Sequence, residues 1–220
     1  MEPNEHTNTD TPDHTNSTPV TPENLVGNPE ALPQRHVVLE TDATTWPEDA
    51  EVFIAAAGCF WGVEKLLWQA EGVYTTVPGY VGGFTEHPDY RSVCSGQTGH
   101  TEGVLVVFDP THTSFEQLYQ LVLENHDPTQ GNRQGNDIGT QYRSAVFPLN
   151  ERQLHTATDL LERYGKRLSA AGYGPITTEV TELQHTPTGK FWVAEDYHQG
   201  YLRKNPGGYC PIHATGISCG

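Results

Sequence analysis

One short stretch limits what this chain can fold into, because an apolar run of strand length passes directly into a run with helical spacing. Residues 52–57 are continuously apolar, whereas Phe60, Val63 and Leu67 recur at the spacing of one helix face. A glycine and Cys59 lie between the two runs. The pattern predicts a strand followed by a helix, with Cys59 at the turn between them.

Cys59 is a candidate nucleophile because of this position. A thiol at the start of a helix lies near unpaired backbone N–H groups and the positive end of the helix dipole, and both favour the thiolate. We expect the aromatic pair Phe60 and Trp61 to lie beside the sulfur. Taken alone, a single cysteine is more often a buried structural residue, so this alternative stays open at this point.

The charge of the chain excludes two large classes of partner. The 220 residues contain 28 Asp and Glu against 12 Lys and Arg, which gives a formal net charge of -16. Nucleic acids and anionic membrane surfaces require a basic footprint, so neither is an expected partner. No apolar run is long enough to span a membrane, and the N-terminus lacks the pattern of a secretory signal. With only 4 cysteines, we expect a cytoplasmic protein without a disulfide scaffold.

We expect one folded domain between two less ordered ends. Residues 1–45 are rich in Thr, Pro, Asn and acidic residues and poor in aliphatic ones, which predicts a disordered acidic extension. Within it, the short apolar run at 36–40 is a possible docking arm, which is the alternative to disorder there. Residues 46–205 form the predicted domain, and the glycine-rich residues 206–220 form a predicted mobile tail that carries two cysteines.

Strand-like and helix-like patterns alternate through the predicted domain. The predicted strands are 52–57, 73–81, 103–109, 142–148 and 176–183, and the predicted helices are 60–72, 88–94, 114–125, 150–168 and 195–203. Pro78 favours an edge or a bulge for the second strand. The central order strand, helix, strand, strand, helix, strand is that of a split βαβ plait. We therefore predict an α+β fold, a two-layer sandwich with a ferredoxin-like plait on a central mixed sheet.

The long polar loop at 127–140 is unusual for a compact domain, and its length favours a functional role. Seven short segments in fixed order, two of which include part of this loop, carry a resemblance to one enzyme family. They are GCFWG at 58–62, YRSVCSG at 90–96, GHTEG at 99–103, ENHDP at 124–128, GNDIGTQYR at 135–143, AEDYHQ at 194–199 and KNPGGYC at 204–210. Together they resemble peptide methionine sulfoxide reductases of the A class, and so many ordered matches are far more specific than one glycine motif.

The resemblance implies a thiol-dependent reductase that converts methionine S-sulfoxide, free or in proteins, to methionine. We expect a monomer without a cofactor or a metal ion. Cys59 matches the nucleophile, and Glu102 matches the acid that protonates the sulfoxide oxygen, which requires a pKa well above the usual range for glutamate. Tyr90 and Tyr142 match two tyrosines that donate hydrogen bonds to that oxygen. Asp137 matches a residue that orients this network.

The remaining matches concern the methyl group and the recycling of the enzyme. Phe60 and Trp61 match an apolar recess for the methyl group of the substrate. After oxygen transfer Cys59 would be a sulfenic acid, which condenses with a nearby thiol. Cys210 matches the cysteine that resolves it, and Cys219 resembles the second recycling cysteine of a three-cysteine subtype served by thioredoxin or a similar dithiol. Cys94 matches a position without a catalytic role.

Two other functions remain to be tested against the structure. A cysteine hydrolase or acyltransferase would use Cys59 with His126 or His198 as its base. A binding module would use Cys210, His213 and Cys219 as a zinc clip, although structural zinc sites normally have four ligands.

Overall fold

The structure is a computed structural model that describes residues 20–209 and 213–220. Its strands are β1 Glu51–Ala57, β2 Val73–Val81, β3 Thr101–Phe108, β4 Arg133–Gln134, β5 Asp137–Ile138, β6 Ser144–Phe147, β7 Glu179–Val180 and β8 Phe191–Val193. Its α-helices are α1 Pro22–Leu25, α2 Phe60–Trp68, α3 Tyr90–Cys94, α4 Phe115–Glu124, α5 Glu151–Ala170 and α6 Tyr201–Lys204. None of the helices in this part of the chain is long and apolar enough to cross a lipid bilayer.

Six of the strands form one sheet in the order β7-β6-β1-β3-β2-β8. All neighbours in it are antiparallel except β6 and β7, which are parallel, so the sheet is mixed. The four central strands, with α2 after β1 and α4 after β3, have the order and connections of a split βαβ plait. The predicted α+β fold with a ferredoxin-like plait is therefore confirmed.

Alternate residues of β1 face two separate cores. Phe53 and Ala55 lie in the core that contains α2, α4 and α5. Val52 and Ile54 lie in the core on the opposite face of the sheet. Because both faces of the strand are covered, every residue in it after Glu51 is apolar and buried, which is the pattern that identified it in the sequence.

The segment before β1 covers the second face of the sheet, so the expected disorder of residues 1–45 is wrong for residues 20–45. Leu25, Val26 and Leu32 are buried in the second core. The Asn28 side chain donates to the backbone oxygen of Val193 at 3.1 Å and accepts from its N–H at 2.8 Å. Few apolar residues are available here, but each covers sheet surface that would otherwise be exposed to water. Residues 1–19 lie outside the described part of the chain.

The tail is docked where the structure describes it, so the predicted mobility of residues 206–220 is wrong for residues 213–220. The hydroxyl of Tyr164 in α5 lies 2.7 Å from the hydroxyl of Thr215. The backbone N–H of Cys219 donates to the Glu124 carboxylate at the end of α4, at 2.6 Å. The Cys219 side chain is only 2% exposed and belongs to the first core. Residues 210–212, and with them Cys210, lie outside the described residues.

Two predicted elements are shorter than the sequence pattern suggested. The predicted strand at 176–183 has only two paired residues, those of β7. The predicted helix at 195–203 is a 3-10 turn, Asp196–His198, followed by the separate helix α6. Gly200 divides them because its φ of +62° is left-handed.

Three further differences affect the surroundings of the site. Tyr142 belongs to the 3-10 turn Thr140–Tyr142 and not to the strand predicted at 142–148. The loop at 127–140 contains the small hairpin of β4 and β5. The strand β2 has β8 as a second neighbour only over Gly79–Val81, immediately after Pro78, and it contains a bulge between Val73 and Thr75, so the predicted edge or bulge is confirmed only in part. The sequence did not predict β8, whose 3 residues are too few to show a period.

Candidate active site

Cys59 is the residue immediately before α2, as the sequence predicted. The turn before it depends on Gly58, whose φ of +87° is in the left-handed region. A Cβ added at Gly58 would lie 2.8 Å from the side chain of Gln134 in the β4–β5 hairpin. The hairpin therefore packs directly against the turn that carries the thiol.

The electrostatics of Cys59 differ from the expectation drawn from its helical position. Burial raises the pKa of the Cys59 thiol, and the nearby carboxylates of Glu102 and Asp137 raise it further. The backbone N–H groups of Trp61 and Gly62 lower it, as a helix start should, but burial and the charge of Glu102 each have a larger effect than either N–H group. The resting form is consequently the thiol, and the expected preference for the thiolate is wrong for the unliganded site.

Glu102 lies near Cys59, although it is 42 positions from Phe60 in the chain. Its carboxylate accepts a hydrogen bond from the backbone N–H of Phe60 at 3.0 Å. The Glu102 side chain is 1% exposed, and β3 holds it opposite Tyr80 of β2. Burial raises the pKa of Glu102 to about 8, with a smaller contribution from the charge of Asp137. A glutamate in this state keeps its proton near pH 7, as a proton donor must.

Trp61 forms one wall of the site together with two residues from the last part of the chain. Its indole N–H donates to Nδ1 of His198 at 2.9 Å. Its ring stacks on Tyr201 with a centroid distance of 3.8 Å and an interplanar angle of 14°. We call Trp61, His198 and Tyr201 the tryptophan wall. Phe60, in contrast, is fully buried against Tyr80 and His198, so only Trp61 of the predicted aromatic pair has exposed surface.

Tyr90 and Tyr142 are both half-buried, and the charge of Glu102 acts on both hydroxyls. Burial raises the pKa of each hydroxyl, and the charge of Glu102 adds to this in both cases. The hydroxyl of Tyr90 also interacts with the thiol of Cys94, one helical turn along α3. The backbone N–H of Tyr90 donates to Glu195 at 2.8 Å, which fixes the start of α3. Both hydroxyls therefore remain protonated near neutral pH.

Asp137 lies in β5 at the rim of the site. Its Oδ1 accepts from the hydroxyl of Tyr209 at 3.3 Å. Its buried Oδ2 accepts no hydrogen bond from any described residue. Burial raises the pKa of Asp137, which the Tyr209 hydrogen bond and the charge of His213 partly offset. Asp137 therefore contacts the tail, and no hydrogen bond joins it to Tyr90 or Tyr142 within the described residues.

The tail returns to the site on both sides of Cys210. Tyr209 reaches Asp137, as described above. On the other side, a Cβ added at Gly135 would lie 2.1 Å from the ring of His213. Gly135 and Asp137 are two residues apart in the β4–β5 hairpin, which packs against the turn before Cys59.

Cys219 lies apart from the other candidate residues, in the core beside α4 and α5. Burial raises the pKa of its thiol to about 12, with a further contribution from Glu124. Its surroundings are α4 and α5, where its charge would also face the buried hydroxyl of Tyr119. Cys59, Cys94 and Cys219 are all free thiols.

The described residues do not favour the two alternative functions. In His126, Nδ1 contacts the backbone oxygen of Val122 at 2.7 Å and Nε2 contacts the hydroxyl of Ser144 at 2.8 Å. His198 accepts from Trp61, and burial lowers the pKa of its ring to about 4. Neither histidine is arranged as a base for Cys59. Within residues 20–209 and 213–220, no group of three or more potential ligands could hold a metal ion, and Cys210 of the zinc clip considered above lies outside these residues.

Three residues that shape the site were not predicted from the sequence as functional in the reductase. They are His198 and Tyr201, which fix Trp61, and Glu195, which holds Tyr90 and accepts from the hydroxyl of Tyr80 at 2.7 Å. The segment at 194–199 was recognised as a match, but a match alone gives no partner for a side chain. Only the chain path shows that this segment crosses the start of α2.

Comparisons with known proteins agree on one family. Residues 51–218 match the model of the family described as Peptide methionine sulfoxide reductase. The chain is 47% identical over 210 residues to the peptide methionine sulfoxide reductase MsrA of Corynebacterium kroppenstedtii, covering 90% of this chain and 96% of that protein. It is 48% identical over 206 residues to the mitochondrial peptide methionine sulfoxide reductase of Homo sapiens, covering 89% and 86% of the two chains. The solved structure of methionine sulfoxide reductase A of Corynebacterium diphtheriae matches with a TM-score of 0.78 and 50% identity, covering 86% and 89%.

Proposed function

Because the chain belongs to the peptide methionine sulfoxide reductase family, we propose that it reduces the S epimer of methionine sulfoxide with Cys59 as nucleophile and Glu102 as acid. The observation that carries this assignment is the 3.0 Å hydrogen bond from the N–H of Phe60 to Glu102. It fixes a carboxyl group with a pKa of about 8 next to the residue that holds the thiol. A sulfoxide sulfur becomes a good electrophile once its oxygen is protonated, so both groups act on the same substrate.

The oxygen-transfer step balances without any external reagent. The Glu102 proton passes to the sulfoxide oxygen while the Cys59 sulfur attacks the substrate sulfur. The attack forms a bond between the Cys59 sulfur and the substrate sulfur. The oxygen then passes from the substrate sulfur to the Cys59 sulfur, which breaks both the substrate sulfur–oxygen bond and the new sulfur–sulfur bond, so that Cys59 is left as a sulfenic acid and methionine leaves. The thiol proton of Cys59 returns to Glu102, which is therefore protonated again at the end of the step.

The same pair of residues explains how the thiol becomes reactive despite its raised pKa. The charge of Glu102 is one cause of that rise, and it is absent whenever Glu102 is protonated. The N–H groups of Trp61 and Gly62 then stabilise the developing thiolate. Tyr90 and Tyr142 donate to the substrate oxygen, which orients it toward Glu102. The exposed surface of Trp61 binds the methyl group, and Phe60 supports it from behind.

Cys210 is the proposed resolving cysteine. Its thiol attacks the Cys59 sulfenic acid, which gives a disulfide and water. The support comes from the described residues on either side, since Tyr209 bonds to Asp137 and His213 contacts Gly135. Both contacts hold the chain against the hairpin that packs on the turn before Cys59.

Cys219 is the proposed carrier of the disulfide to an external reductant. Thiol–disulfide exchange moves the bond from Cys59 and Cys210 to Cys210 and Cys219, and a dithiol such as thioredoxin then reduces it. This requires Cys219 to leave its place between α4 and α5. A reducing compartment such as the cytoplasm provides the dithiol, and we propose that the enzyme works there as a monomer.

A thiol count without an added reductant tests the proposal. The reduced protein is mixed with one equivalent of the S epimer of N-acetylmethionine sulfoxide, with the R epimer in parallel. We expect the S epimer to remove two thiols per methionine formed, and the R epimer to remove none. Cys59→Ser should form no methionine even with dithiothreitol, because an alcohol does not provide the attacking anion.

Cys94→Ser is the matched control, since Cys94 is an exposed thiol and its serine keeps a hydroxyl for Tyr90. This variant should lose two thiols as the unmodified protein does. Methionine formation by Cys59→Ser would remove Cys59 from the mechanism. A hydrolase would consume no thiols with either epimer.

A further inference from the structure

A buried carboxylate in α2 connects the segment before the domain to the tryptophan wall. Glu64 is fully buried, and the only basic group within 4 Å of its oxygens among the described residues is His36, at 3.7 Å. Burial raises the pKa of Glu64, and His36 is the largest opposing influence. A buried carboxyl group costs stability unless its oxygens are used, so its partners indicate its role.

The main partner of Glu64 is the backbone of Gly200. The Gly200 N–H points between the two carboxylate oxygens, at 3.0 Å from Oε1 and 3.1 Å from Oε2. Gly200 is the left-handed residue that separates the 3-10 turn Asp196–His198 from α6. Glu64 therefore fixes the chain at the point where it changes direction.

The residues on either side of this point hold Trp61. His198 accepts from the indole N–H, and Tyr201 stacks on the indole ring. Trp61 and Glu64 are three residues apart on α2. One turn of this helix therefore carries both Trp61 and the carboxylate that fixes the segment holding it. A shift at Gly200 would move His198 and Tyr201 together, because each lies within two residues of it.

The segment that precedes the domain completes this arrangement. Nδ1 of His36 accepts from the N–H groups of Val38 and Leu39, at 3.1 and 3.0 Å, so its Nε2 carries the proton and donates to Thr76 at 2.9 Å. The neighbouring Val37 covers Gly200: a Cβ added at Gly200 would lie 2.0 Å from a methyl group of Val37. His36 thus lies beside Glu64 while Val37 closes the other side of Gly200.

We propose that Glu64 is a positioning residue for the methyl group of the substrate, and that His36 and Val37 complete its site by holding Gly200 in place. Through Gly200, this contact fixes His198 and Tyr201 and hence the ring of Trp61. The inference rests on the proposed function, because it concerns the side of Trp61 that the methyl group contacts. Its consequence is selectivity for a methyl sulfoxide over a larger one.

Kinetics with two substrates test this proposal. The variants are Glu64→Ala, Glu64→Gln and, as a matched control, Lys65→Ala at the next position, which is exposed. The substrates are methionine S-sulfoxide and the S-sulfoxide of ethionine, which has one additional methylene. A looser wall binds the methyl group less well in both the ground and transition states, so KM should rise more than kcat falls.

For Glu64→Ala we expect KM for the methyl sulfoxide to rise about tenfold while the single-turnover rate at saturation changes less than about threefold. The preference for methyl over ethyl in kcat/KM should fall at least about threefold, since a close pocket discriminates strongly against one methylene. Glu64→Gln keeps an oxygen for the Gly200 N–H and should retain the preference of the unmodified protein. Lys65→Ala should also retain it.

Val37→Ala covers the case in which Glu64→Ala does not fold, since Val37 is 41% exposed and lies outside the core. It should lower the methyl preference in the same direction. An unchanged KM and an unchanged methyl preference in either folded variant would overturn the positioning role. Failure of the unmodified protein and of Lys65→Ala to reduce the methyl sulfoxide would instead overturn the proposed function.

Discussion

The carboxylate of Glu102 accepts a hydrogen bond from the backbone N–H of Phe60, the residue that follows Cys59 in the chain. The proposed acid and the proposed nucleophile are therefore connected through the backbone at the start of α2. A glutamate in a polar, solvated site is ionised near neutral pH and has no proton to donate. Burial in β3 prevents this ionisation and keeps the donor in its acidic form.

Replacement of Glu102 by glutamine should slow oxygen transfer at least about tenfold, which corresponds to roughly 1.4 kcal/mol of barrier. Glutamine retains the shape of the side chain and can donate a hydrogen bond, but it cannot deliver a proton. The measurement is the single-turnover rate of methionine formation. Glu116→Gln on the exposed face of α4 serves as the control and should be unaffected. A smaller loss in Glu102→Gln would exclude the acid role.

The rate of oxygen transfer should depend on pH through Glu102. Its pKa is raised to about 8, so the acid is present below that pH and is lost as the pH rises through it. The same sign applies to stability: the buried protonated form favours the folded state, and this contribution declines between the ordinary pKa of a glutamate and about 8. The single-turnover rate and the free energy of unfolding in urea should both decrease between pH 6 and pH 9.5. Both decreases should be smaller in Glu102→Gln. A flat rate profile in the unmodified protein would contradict this assignment.

Replacement of Cys219 by serine should affect recycling and not oxygen transfer. A disulfide between Cys59 and Cys210 should still form in one turnover, because neither partner is changed. Multiple turnover should fall strongly with thioredoxin and remain nearly unchanged with dithiothreitol, which is small enough to reach a bond inside the pocket. The trapped disulfide is identified by mass mapping. Normal thioredoxin-driven turnover would show that Cys219 is not required for the relay.

The docked position of Cys219 should be visible in thiol labelling. In the reduced protein, iodoacetamide should modify the exposed Cys94 well before Cys219, which is 2% exposed. Tyr164→Phe removes the hydroxyl that contacts Thr215 and the backbone oxygen of Ile217, so it should accelerate labelling of Cys219 while leaving that of Cys94 unchanged. Equal labelling rates for the two thiols in the unmodified protein would mean that the tail does not dock in solution.

Truncation of Leu32 to alanine should destabilise the protein by about 2 to 4 kcal/mol, because Leu32 is buried in the second core. The measurement is the free energy of unfolding in urea. Val20→Ala is the control, since Val20 is 43% exposed and its loss should cost less than about 0.5 kcal/mol. Equal stability of the two variants would show that the segment before β1 does not contribute to the core.

The sequence pattern predicted a strand or a helix correctly wherever interactions within that element determine its structure. The strand and helix around Cys59 were predicted because their periods change at a glycine, and the helices α4 and α5 were predicted from their helical periodicity. In the structure, Ser114 accepts from the N–H of Gln117 and Asn150 from that of Gln153. Each of these interactions joins residues three positions apart, so both partners can be recognised in the sequence.

Contacts between distant segments were the part that the sequence did not determine. The segment with Leu32 is too poor in apolar residues to fold alone, and its order comes from a sheet face formed by residues far along the chain. The tail likewise docks through Tyr164 and Glu124 of other helices. For Cys59, the helix start suggested a lowered pKa, but burial together with Glu102 and Asp137 reverses the direction. The resemblance named the candidate site residues, and it did not supply the partners that position them.

The raised pKa of Cys59 affects how the protein tolerates the oxidant that creates its substrate. Hydrogen peroxide attacks thiolates and reacts poorly with thiols, and a cysteine oxidised beyond the sulfenic acid is not recovered by exchange with another thiol. We therefore expect the buried thiol of Cys59, which stays protonated without substrate, to react slowly with peroxide. In the proposed mechanism Cys59 becomes a nucleophile only when a sulfoxide occupies the site, so we expect the enzyme to survive under the same conditions that damage methionine.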